Sequence, residues 1–175
     1  MEQKLESLNQ NLWQVLQKLI GLHRQLLDCV RLEKNALIEA KVKGIQECTF
    51  AKEALISGVQ QAEAQRLALI AELALAYRKP RAELSLPNLV ILVQGHDQPL
   101  AEKLRSAYNT LVILIERITE QNQENQKLVE NSLTHIRQMK KNVLGESKPQ
   151  ANTYTSGGVT KAGGANEARL ISKEV

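Results

Sequence analysis

Aromatic side chains are scarce in this 175-residue chain, which holds one Trp, one Phe and three Tyr. Nucleic-acid binders interleave such rings with Lys and Arg gathered on one face. With few rings and a net charge of only +4, that class is disfavoured. Cysteine is almost absent too, with Cys29 and Cys48 alone. Both fall at helical core spacings, so they read as small buried thiols rather than a bridge. The opening residues lack a secretory leader pattern, and a reduced, cytoplasmic chain is expected. The longest purely apolar runs, Leu89–Val93 and Leu111–Ile115 among them, are far too short to cross a membrane.

What the chain has in quantity is Leu, Ala, Gln, Glu and Lys. Unbranched side chains lose little rotamer freedom in a helix, so an all-α fold is expected. Leu5, Leu8, Leu12, Val15, Leu19, Leu22, Leu26 and Cys29 recur at alternating steps of three and four. A second seam, Trp13, Leu16, Ile20, His23, Leu27 and Val30, lies beside the first. Two adjacent seams make a stripe wide enough for two neighbours, so the helix belongs in a bundle.

The pattern loosens across Ala40–Gly44, and glycine makes this the expected reversal. A seam resumes at Ile45, Cys48, Lys52, Leu55, Val59, Ala62, Arg66, Leu69, Leu73 and Ala76. Pro80 stops that helix near Arg78. Pro80, Pro87 and Pro99 crowd the following stretch around Leu89–Val93. A short helix from Pro87 is the preferred reading, because a lone strand would lack a pairing partner. Asp97 suits the N-cap of a last helix, whose core face is Leu100, Leu104, Ala107, Leu111, Leu114 and Ile118. Gly145 is its expected stop, with Lys140 and Lys141 near the negative end.

The expected architecture is therefore an antiparallel bundle of three long helices plus a short one. Its elements are about 3–40, 44–79, 87–94 and 98–144, within a bundle domain at 1–145. At 1.5 Å per residue each hairpin arm reaches about 55 Å and the last helix about 70 Å. Residues 146–175, rich in Ser, Thr, Gly, Lys and Asn, are expected to form a disordered, flexible tail.

No catalytic constellation stands out. His23, His96 and His135 are scattered, without the spacing of a zinc site or an activated nucleophile. His23 reads as a packed core histidine, and no glycine-rich loop follows a strand. No enzyme activity, cofactor, metal or small-molecule substrate is expected.

Polar residues on the seams carry more information. Glu33 and Lys52 stand at comparable distances from the reversal, on opposite arms. They form either a register-setting pair or two charges at a wet bundle end. Asn122 and Asn125 put amides on the last helix's seam, to fix register or to mark a change of partner. Beyond them Leu128, Val129, Leu133, Ile136, Met139 and Val143 form an apolar stripe suited to another helix. That stripe could equally pack within the chain or join two copies.

These features resemble the FlgN family of flagellar type III export chaperones. The first half of the likeness is Glu33, Ala36-Leu37, then Lys52 and Leu55-Ile56 across the reversal. The second half is Asn122, Asn125, Leu128-Val129, Tyr154 and Gly157. Lys41 departs from it, standing where the family often has an acidic residue. The resemblance implies a cytoplasmic chaperone that binds the C-terminal helical segment of hook-associated, hook–filament junction proteins. It further implies that such a chaperone prevents premature assembly and brings clients to the export gate. The 128–143 stripe would then be the client site and Tyr154 the ring that docks on the gate. The other readings are a structural homodimeric coiled coil and a regulator that binds nucleic acid through its basic tail.

Overall fold

The computed structural model describes residues 2–144, which are helical throughout apart from short turns. In chain order these are α1 (Glu2–Ile38), α2 (Val42–Tyr77), a 3-10 turn at Arg81–Glu83, α3 (Leu86–Gln94) and α4 (Gln98–Val143). No strand occurs among the described residues. The chain divides into two units, Met1–Leu133 and Thr134–Val175.

In the first unit, both seams of α1 lie on its buried side, some of their residues enclosed and the others half-buried. Leu12, Leu16 and Val30 are fully enclosed, and Leu8, Leu19, Ile20 and Leu27 nearly so. Leu73 of α2, Leu89 and Val93 of α3, and Leu104 of α4 complete the tightest layer of one continuous core. Each such Leu removed from water contributes about 1.5–3 kcal/mol, which is what holds these elements together.

Facing residues of α1 and α2 run in opposite order. The Asn9 amide donates to the Tyr77 hydroxyl at 3.1 Å, and the Cys29 thiol to the Cys48 carbonyl at 3.3 Å. Lys52 then meets Glu33 at 2.7 Å. Between α1 and α4 the order is shared: Lys103 Nζ stands 5.4 Å from the centre of the Trp13 ring, and Lys34 pairs with Glu124.

The reversal falls at Glu39–Lys41, overlapping the start of the expected Ala40–Gly44 stretch, while Gly44 itself lies inside α2. Ala40 takes the left-handed conformation (φ 52°), and the Lys41 N–H closes onto the Ala36 carbonyl at 2.9 Å. Gly44 serves close approach instead. A Cβ there would stand 3.3 Å from the Ala36 Cβ.

The other ends follow local rules. Arg78 caps α2 in the left-handed conformation, donating to the last-turn carbonyls, and Lys79 N–H bonds the Ala74 carbonyl at 3.0 Å. Ser85 caps α3 by accepting from the Asn88 N–H. Asp97 caps α4, its Oδ1 accepting from the Leu100 N–H at 3.0 Å.

Three seam assignments need correction. Ala76 is exposed, while Ile70 and Ala74 are buried beside Leu73. His23 is only half-buried, with Nδ1 2.7 Å from the Leu19 carbonyl. Asn122 is exposed, so only Asn125 of the two amides enters the interior. Gly145, Tyr154, Gly157 and the tail lie outside the described residues.

Candidate interaction surface on the last helix

Glu33 is the point at which three helices of the first unit meet. Its Oε1 accepts from Lys52 Nζ of α2 at 2.7 Å, and its Oε2 accepts from Asn125 Nδ2 of α4 at 2.9 Å. Asn125 Nδ2 also donates to the Val30 carbonyl at 3.0 Å. Asn125 is 4% exposed, and the Glu33 and Lys52 side chains retain 12% and 22% of their surface. A carboxylate this enclosed is tolerable because both oxygens are satisfied and the charge is matched. The two polar seam positions on the hairpin, and one of the two asparagines, are thus brought into a single cluster.

Residues that the spacing did not single out brace its edge. Gln121 Nε2 donates to Glu124 Oε2 at 3.0 Å and lies 3.4 Å from Asn125 Oδ1. Lys34 holds Glu124 at 2.7 Å. The hydrogen bond and charge of that ammonium keep the Glu124 carboxyl below its ordinary range. The sequence signal was available only as opposite charges on distant segments, which identifies no pair on its own.

Burial of α4 ends just beyond this cluster. Asn125 is the last buried residue of the helix, Leu128 is half-buried, and Val129 and Leu133 are exposed. In the second unit the described residues Thr134–Leu144 are all exposed. Ile136 (61%), Met139 (66%) and Val143 (84%) therefore carry apolar side chains in water. The helix is polar on its remaining faces, so these residues form a stripe rather than an apolar cylinder.

Such a surface offers shape and apolar area. Among the described residues no three His, Cys, Asp or Glu side chains gather as a metal-binding group. No helix there is long and apolar enough to cross a membrane. Cys29 is buried, and burial together with the nearby Cys48 pushes its thiol pKa up. That makes it a weak nucleophile.

A family model described as FlgN protein matches residues 1–162. No curated protein and no solved structure matches the chain.

Proposed function

This chain belongs to the FlgN family of flagellar export chaperones, and from that membership we propose that its clients are hook-associated proteins of the hook–filament junction. The observation that carries the reading is the run of solvent-exposed apolar side chains on α4 from Val129 to Val143. An isolated exposed Leu is ordinary, but five exposed apolar positions in helical register on one element are a docking face.

The client's C-terminal helical segment would lie along Leu128, Val129, Leu133, Ile136, Met139 and Val143. Such a segment is prone to premature assembly because its apolar ridge is made to pack against neighbouring subunits. Helix-in-groove contact shields that ridge while leaving the complex reversible, as delivery to an export apparatus requires. In this reading Tyr154, in the 146–175 segment that follows a bundle domain at 1–145, docks on the export gate. A tyrosine suits that task, combining apolar area with one hydrogen bond at small rotamer cost. The work takes place in the cytoplasm and needs no cofactor.

The paired residues of α1 with α2 and of α1 with α4 support an antiparallel three-helix bundle as the scaffold. Glu33, Lys52 and Asn125 act there as its register device, with Asn122 marking the solvent side of α4. Removing residues 128–175 should abolish binding to the client's C-terminal segment in calorimetry, while circular dichroism shows the remaining chain still helical. Undiminished binding by the shortened chain would end the proposal.

A further inference from the structure

The second unit adds a feature that apolar burial alone does not require. Its described residues, Thr134–Leu144, include Arg137, Lys140 and Lys141 and no Asp or Glu. No ion pair involves these three among the described residues.

Their placement is one-sided. At about 100° per residue, Met139 and Val143 fall within about 60° of Ile136 around the helix. Lys140, Arg137 and Lys141 follow at about 40°, 100° and 140°, all in the same sense. The opposite flank, about 100–120° the other way, carries His135 and Asn142 and no Lys or Arg. Cations in a last turn are favoured by the helix dipole, which accounts for Lys140 and Lys141 being basic. The dipole is indifferent to flank, however, and Arg137 precedes that turn. The asymmetry calls for another cause.

Resting on the stripe as the client site, we infer that the occupant is an amphipathic helix with a row of carboxylates beside its apolar ridge. Those carboxylates lie on the side that faces Arg137 and Lys141. Apolar contact supplies affinity, and the charged edge selects which helix docks and in which orientation. An anionic lipid surface fits less well. A helix lying in a membrane plane has head groups along both flanks and gains from cations on each. Within Thr134–Leu144 only one flank is basic, as suits a partner lying to one side.

The test uses the full chain and three synthetic helical peptides that share one apolar ridge. One carries Glu, one Gln and one Lys along a single flank. By fluorescence anisotropy in low salt the chain should bind the Glu peptide about tenfold more tightly than the Gln peptide, the scale of a few exposed ion pairs. The Lys peptide should be weakest, and the difference should shrink as added salt screens it. Arg137→Gln with Lys141→Gln should erase the preference and leave affinity for the Gln peptide unchanged. Arg137→Glu with Lys141→Glu should transfer the preference to the Lys peptide. Equal binding of all three by the unaltered chain overturns the charged edge and leaves the stripe standing. Binding of none overturns the stripe as well. Tighter binding to vesicles of anionic phospholipid than to the Glu peptide assigns the edge to membranes and also overturns the proposal.

Discussion

Asn125 reaches Glu33 across the α1–α4 contact at 2.9 Å, and Glu33 in turn holds Lys52 of α2 at 2.7 Å. Removing the cation should leave an enclosed carboxylate with half its partners. Lys52→Met is expected to cost about 2–4 kcal/mol in urea unfolding. Adding Glu33→Gln to that chain should restore part of the loss, because the unmatched charge is gone. Two losses that simply add would show that the residues do not act as a pair.

Asn125→Ala and Asn122→Ala form a matched comparison on one helix. The buried amide makes two hydrogen bonds to α1, so its loss should cost about 1–3 kcal/mol. The exposed one should stay within about 0.5 kcal/mol of the parent. Chemical unfolding of both variants checks this, and equal costs would contradict the geometry.

Ala40 and Arg78 occupy left-handed backbone at φ 52° and 53°. Side chains with a Cβ pay about 1 kcal/mol or more there, whereas glycine does not. Ala40→Gly and Arg78→Gly should each raise the thermal midpoint slightly, the relief exceeding the added freedom of the unfolded chain. A lowered midpoint would mean that the turn tolerates alanine without strain.

Glu63 accepts two hydrogen bonds from Arg66, at 2.6 and 2.9 Å, and the guanidinium holds its carboxyl below the usual range. A depressed carboxyl pKa gives stability that is present above the unfolded value, about 4.3, and is lost as pH falls through the folded one. Arg66→Gln should therefore narrow the gap between parent and variant as pH falls below about 4. Urea midpoints across pH read the effect, and a gap that stays constant would refute the linkage.

Ile136 and Met139 separate binding from folding, since both are largely exposed in α4. Ile136→Ser with Met139→Ser should change unfolding stability by no more than about 0.5 kcal/mol per site. Client affinity should fall at least tenfold in calorimetry if the stripe is the docking face. Tyr154→Ala should leave that affinity intact and weaken capture by the gate's cytoplasmic domain. Equal gate binding by both chains would remove Tyr154 from the proposal.

Much of the fold could be read from spacing. The seams of α1 lie on its buried side, and all six core positions named for α4 are buried. In α2 a strict heptad count fails gradually, because a straight helix needs 3.6 residues per turn rather than 3.5. Over the nine turns from Ile45 the buried face slides by almost one residue, from Leu69 and Ala76 to Ile70 and Tyr77. The reversal overlaps the expected Ala40–Gly44 stretch, but the glycine is not its turning residue. Its left-handed residue is an alanine, which carries no turn signal, while the nearby glycine serves helix contact. Asn122 and Asn125 are three apart, so their side chains point about 60° apart, and α1 takes only one. The basic flank emerged once the helix direction and exposure of 134–144 were known.

Trp13 is the chain's one indole, and it sits beneath the Lys103 ammonium of α4. Its emission is thus a built-in optical gauge of whether the first and last long segments remain together. Acid and denaturant can both be followed on it without attaching a dye, through a single excitation band that no second tryptophan obscures.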